Sequence, residues 1–275
     1  MERGVARRGG AWLGKARTWA RRGRARRGRA RRGLARSGVR RSYAHNFSDE
    51  QTTERPMKQY SVNITGTSDL LLHNDNIVAM EQIGKWRDDP NNKQVTVRGD
   101  DRSPAWTWAA ACYHNGDILT IPSDNLMTML RDGAKRVSSG KRGTLKAQSQ
   151  SSIIVDSESW PLLVNGNTIR WSEIDAMTTT NDFPKHEELA RKLGFELFVK
   201  RATVGAAKHV RVRPRFRVWS TGGTITVTEP EIITTQRLVD ILSQAGRFAG
   251  IGDWRPSSPK APGPFGKFIA TVEEI

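Results

Sequence analysis

The chain has 275 residues and a formal net charge of +17. That charge is concentrated at one end: residues 1–56 hold 17 Lys and Arg against 4 Asp and Glu, and the other 219 residues hold 28 against 24. No apolar run approaches the ~18 residues of a membrane span, and the single Cys112 excludes an internal disulfide and a cysteine zinc site.

Residues 1–45, most of the arginine-rich tail 1–56, are Arg-Gly-Ala low complexity with recurring Arg-Arg-Gly, as at 7–9, 21–23 and 31–33. Such a segment cannot bury enough apolar surface to order itself. An arginine-rich nucleic-acid arm and an Arg-rich targeting presequence both fit it. The reading preferred is translated DNA upstream of a native start at Met57, which leaves residues 57–275 as the folded domain. That domain reads as an intracellular, soluble globular protein.

Tyr60 to Thr67 alternates as a strand, with Tyr60, Val62 and Ile64 on one face. A short helix follows, with Ile77, Met80 and Ile83 on its apolar side. Residues 88–104 are polar and predict a loop, and Pro104 to Tyr113 predicts a short apolar helix. Ile118 to Ile121 predicts a small strand. Ser123 then reads as the N-cap of a helix over 123–136, with Leu126, Met129, Leu130 and Ala134 on one face. Residues 138–152 predict a flexible basic loop carrying Lys141 and Arg142. Residues 153–155 and 162–171 are strand-like, with a turn at Asn165-Gly166. Pro184 to Leu193 predicts a helix closed by Gly194.

Phe195 to Val218 is more specific. Phe195 to Arg201 predicts a strand, and Val204 to Lys208 a glycine-containing turn. After it His209, Arg211, Arg213, Arg215 and Arg217 share one face, and Val210, Val212, Pro214, Phe216 and Val218 the other. This predicts a half-buried strand with a cationic outer face. Gly222-Gly223 predicts a turn into Thr224–Thr228. Thr234 or Thr235 caps a helix over 235–248, and residues 267–272 predict the final strand. Between them runs a glycine- and proline-rich tongue holding Gly250, Gly252, Trp254, Arg255, Lys260 and Gly266. Exposed amides in such a tongue make an anion-binding nest. A dinucleotide fingerprint is disfavoured, because that motif runs strand, glycines, helix.

Stripped of insertions, the predicted order is strand, helix, strand, strand, helix, strand: an α+β domain with a ferredoxin-like, RRM-type βαββαβ antiparallel sheet. Three stretches resemble the RAMP superfamily of CRISPR-associated RNA-binding proteins. They are the opening strand Val62 to Leu71, the Ile121-Pro122-Ser123 to Leu130-Arg131 lead-in to the first helix, and the Gly250–Gly266 loop before the last strand. The layout is most similar to the crRNA-coating backbone subunit, whose β-hairpin thumb Phe195–Arg217 resembles. The tongue departs from that family in its prolines. The Leu70 to Asn76 opening also resembles phage and prophage proteins.

The charge pattern predicts phosphate binding by Lys200, Arg201, Lys208, Arg211, Arg213, Arg215 and Arg217. Alternate residues on a strand lie about 7 Å apart, near the phosphate spacing of an extended single strand, and guanidinium groups bind phosphate bidentately. A charged edge strand that blocks aggregation is the competing reading. Trp219 and Trp254 are candidates for stacking on bases. The expected partner is single-stranded RNA or ssDNA, in a homo-oligomer or multi-subunit ribonucleoprotein, with no cofactor and no membrane. His73, His114 and His209 lie beside no second acid–base group in the sequence, so catalysis is not expected. The runner-up is a metal-independent endoribonuclease using His73 or His114, and a phage interaction protein is the third reading. Asp88-Asp89 and Asp100-Asp101 read as turn formers, and Asp132, Asp240 and Asp253 show no partner.

Overall fold

The structure is a computed structural model, and it describes residues 56–140, 142–204 and 207–275. The expectations for the arginine-rich tail, for Lys141 and for the turn at Gly205-Ala206 lie outside the described residues.

In chain order the elements are β1 (Lys58–Gly66), β2 (Leu70–Leu71), α1 (Ile77–Asp88), β3 (Thr120–Pro122), α2 (Ser123–Ala134), α3 (Lys146–Ser152), β4 (Ile153–Val155), β5 (Ser159–Val164) and β6 (Asn167–Thr168). Then come α4 (Trp171–Asp175), α5 (Phe183–Lys192), β7 (Glu196–Val204), β8 (Ala207–Phe216), β9 (Trp219–Val227), α6 (Thr235–Gln244) and β10 (Phe268–Glu274). The result is an α+β fold with two antiparallel sheets. The larger runs β10-β1-β9-β5-β3, with β4 also on β9 and β6 on β5; the smaller runs β2-β8-β7.

Strand β1 organises the core. Tyr60, Val62 and Ile64 are fully buried, as their alternation predicts. Over them lie Leu126, Met129 and Leu130 of α2 and Leu238, Ile241 and Leu242 of α6. Burying one such side chain contributes about 1.5–3 kcal/mol. The two helices approach closely at Gly133, where an added Cβ would stand 2.4 Å from the Ile241 carbonyl oxygen. The opposite face of the sheet carries Ser61, Asn63, Thr65, Ser220, Gly222, Thr224, Ile269 and Thr271. None of those positions holds an aromatic ring, a lysine or an arginine.

Several local expectations are corrected. Gly222-Gly223 makes no turn: both lie inside β9, paired with Asn63 and Val62 of β1. They are glycines for want of room. A Cβ at 223 would meet Trp160 Nε1 at 2.2 Å, and one at 222 would meet Asn63 Oδ1 at 2.6 Å. Ser123 starts α2 but does not cap it; the N-cap position is Pro122, with no side-chain bond. Residues 138–152 are not all loop, because α3 occupies the second half. Residues 162–171 do not continue as strand, because Trp171 opens α4. The last helix changes to a π-helical turn, Ala245–Ala249, before the tongue. On α1 only Ile83 is buried. Ile77 and Met80 are 73% and 53% exposed, because this helix lies beside a hollow and not on the core. Elsewhere the local chemistry holds. Thr234 caps α6 by accepting from Arg237 N, and Asn165 and Gly166 take φ of 51° and 82° at the β5–β6 turn.

Candidate nucleic-acid interface

The candidate site is built from the β7–β8 hairpin, the short strand β2 beside it, and the tongue. Leu70 and Leu71 of β2 pair with Phe216 and Arg215 of β8. The tongue then docks on the other side of β2: Asp253 N donates to Leu71 O at 2.8 Å and Gly266 N to Asp69 O at 2.8 Å. Gly250, Gly252 and Gly266 have φ of 71°, 80° and 72°, a region that favours glycine.

On β8 the alternation is as predicted, with Val212 and Phe216 fully buried and the arginines on the other face. That face is not a free cationic row. Asp101, with only 6% of its side chain exposed, accepts from Arg211 Nη1 at 2.9 Å and from Arg213 Nη1 and Val212 N at 3.3 Å each. Arg213 Nε also lies 3.5 Å from Asp253 Oδ2. Glu196, across the hairpin, accepts from Arg215 and, at 2.8 Å, from Arg217 Nε. Those bonds, Arg217's first, pull the Glu196 carboxyl down to about 2. The physical reason is burial: a guanidinium that is mostly out of water needs a counter-charge, and Arg213 is only 16% exposed.

Several amides of the tongue are also engaged within it. Ile251 N donates to Gly266 O, Gly250 N to Ala245 O, Gly263 N to Arg255 O and Trp254 N to Asp253 Oδ1. Those four amides are therefore not free to bind an anion. Arg255 turns inward, to Ser257 Oγ at 3.0 Å and Gly252 O at 3.1 Å. Trp254 is wedged: Lys200 Nζ stands 3.0 Å from the centre of its ring, and Phe265 packs at 5.4 Å. This cation–π contact joins hairpin to tongue. Trp219 is 2% exposed and donates Nε1–H to Ser68 O; it belongs to the core.

Arg201, Lys208, Lys260 and Arg142 are exposed, with no carboxylate partner among the described residues, but none of them lines a hollow, and Arg201, paired with Val210, lies on the hairpin face opposite Arg211. One hollow of about 730 Å³ lies between α1, the 3₁₀ turn Thr107–Ala111 and β8. A second, of about 370 Å³, lies between the hairpin and the tongue. His73, Arg211 and Arg213 line both, so these three side chains form the ridge where the hollows meet.

His73 sits at the end of β2, with Nε2 3.3 Å from Asp75 and Nδ1 3.9 Å from Asp253. Both carboxylates favour the charged ring, but burial and then Arg213 outweigh them and lower its pKa. The other histidines are not placed at the ridge. His114 stacks flat on Trp171 at 3.8 Å, and the His209 ring lies against Gly99. His186, not singled out in the sequence, is fully buried between Trp108 Nε1 and Thr180 O. Burial raises the pKa of Cys112.

The residues that sequence reasoning missed are the acids Asp101, Glu196, Asp69 and Asp253. The Asp100-Asp101 doublet was visible, but while Asp100 pairs locally with Arg102, the partners of Asp101 lie more than a hundred residues away. Among the described residues no group of three or more His, Cys, Asp or Glu is placed to hold a metal ion, and no helix is long and apolar enough to cross a membrane. No protein-family model matches the chain, and no curated protein is significantly similar to it.

Proposed function

We propose that this chain is a ferredoxin-like, RRM-type protein of RAMP character that binds single-stranded nucleic acid without cutting it. It acts as a backbone-like subunit of a CRISPR-type or phage ribonucleoprotein. One observation carries the reading: two hollows run along the basic hairpin and meet at a ridge of Arg211, Arg213 and His73. Groove, cations and nearby rings together suit a strand with unstacked bases.

The strand order supports the fold assignment. Taking β1, β4, β9 and β10 as the four sheet strands, with α2 and α6 as the crossings, gives the order fourth-first-third-second, all antiparallel. That order is the one a ferredoxin-like sheet would have, which supports the reading. The β7–β8 hairpin then falls between the second and third strands, where it serves as the thumb. The open sheet face lacks rings and cations at the positions named above, so the strand is assigned to the hairpin groove and not to the sheet.

The test is a titration of labelled single-stranded oligonucleotide in excess EDTA. A shifted, intact oligonucleotide supports the reading. Cleavage that is lost in His73→Ala would favour the endoribonuclease. Absence of any shift would leave the interaction protein as the better account.

A further inference from the structure

The larger hollow has a composition that phosphate binding alone does not explain. One end is the ridge of Arg211, Arg213 and His73. Its side wall is apolar, formed by Ile77 and Met80, which α1 leaves exposed where an amphipathic helix would bury them. Its floor at Ala110 and Ala111 is small and neutral. Its rim carries Glu81, which is exposed and has no side-chain partner among the described residues.

A bare carboxylate on the rim of a phosphate-binding groove repels the strand unless it meets a donor. Ionised Glu only accepts hydrogen bonds. Phosphates offer it nothing, whereas a ribose hydroxyl donates. Acidic residues take the ribose hydroxyl in dinucleotide-binding folds for the same reason. At about 730 Å³ the hollow is ample for one nucleotide. Resting on the nucleic-acid reading above, we propose that this hollow holds one ribonucleotide of the bound strand. Its phosphate lies on the Arg211–Arg213 ridge, its base against Ile77 and Met80, and its 2′-hydroxyl on Glu81. The protein thereby selects RNA over DNA, because the 2′-hydroxyl is the group that distinguishes them.

The experiment compares oligouridylate with oligodeoxyuridylate of equal length, which differ only in that hydroxyl. Wild-type protein should favour the ribo-oligomer about tenfold, the worth of one hydrogen bond to a charged acceptor. Glu81→Ala should bring the ratio to near unity, by weakening RNA binding and by relieving the repulsion of DNA. Glu81 is an exposed helical residue, so the variant keeps its fold. Met80→Asp, which puts a charge against the base, should weaken both ligands. Equal binding of the two oligomers by wild type, a preference that survives Glu81→Ala, or Met80→Asp binding like wild type would each overturn the inference while leaving nucleic-acid binding intact. Binding of neither oligomer would overturn the nucleic-acid reading itself, and the inference with it.

Discussion

Asp101 and Arg213 stand 112 positions apart in the chain, yet the Asp101 carboxylate accepts from Arg213 Nη1 at 3.3 Å while its other oxygen takes Arg211. This one acid fixes two arginines at the ridge and ties the 97–101 segment to β8, where Val210 N also donates to Gly99 O. Removing it strands two part-buried cations. Asp101→Ala should cost about 3 kcal/mol, the usual cost of breaking a buried pair. Urea denaturation followed by circular dichroism measures this, and an unchanged midpoint would show that the pair contributes no net stability.

The exposed cations should behave differently. Arg201 and Lys208 carry no ion pair among the described residues, so replacing both with alanine should leave the melting temperature as it is. Each phosphate contact to a single strand contributes about −0.7 to the slope of log K against log salt. The double variant should therefore show a slope shallower by about 1.4 and should weaken unrelated sequences alike. A folded variant with the wild-type slope would remove the distal hairpin from the interface.

His73 predicts a pH dependence. Its folded pKa lies below the ordinary 6.5, so the stability linked to its neutral ring is complete above 6.5 and is lost as pH falls from there through the folded pKa. A phosphate on the ridge favours the charged ring, adding to Asp75 and Asp253 against Arg211 and Arg213. Binding should then tighten as pH falls from about 7.5 to 6, and His73→Gln should flatten the profile. A variant that retains the wild-type pH profile would place the titrating group elsewhere.

Gly266→Ala should be costly and Gly84→Ala should not. At 266 φ is 72° and the new Cβ would stand 1.8 Å from the Ile251 carbonyl oxygen. Strain of this kind costs about 2 kcal/mol or more, a fall of about 4–8 °C in melting temperature at this size. Gly84 lies within α1 with nothing within 4 Å of an added Cβ, so alanine there should stabilise by up to about 1 kcal/mol. Scanning calorimetry separates the two, and equal melting temperatures would mean that the tongue tolerates a side chain at 266.

Local pattern was legible in the sequence wherever one face of one element decides it. The Tyr60-Val62-Ile64 alternation and the Arg211–Arg217 row both stand as read, because strand parity is local. Pairing across distance was not legible. Nothing in residues 97–104 announces that Asp101 is aimed at β8, so the row read as free charge. The apolar periodicity of α1 showed that Ile77 and Met80 share a face, but not that the face looks into a hollow. At Gly222-Gly223 the absence of a side chain reads as a turn because glycine permits one. At 223 its cause lies on β5, in the ring of Trp160.

That last contact ties two distant positions to each other's chemistry. Trp160 is 1% exposed, and its Nε1, without a hydrogen-bond partner among the described residues, lies over position 223. A chain that gained a side chain at 223 would have to shrink residue 160 in the same step, and one that lost the indole would leave a void that only a larger residue at 223 could fill. The two positions are free to vary only as a pair: a side chain at 223 alone pries β9 from β5, and a small residue at 160 alone leaves a cavity between them.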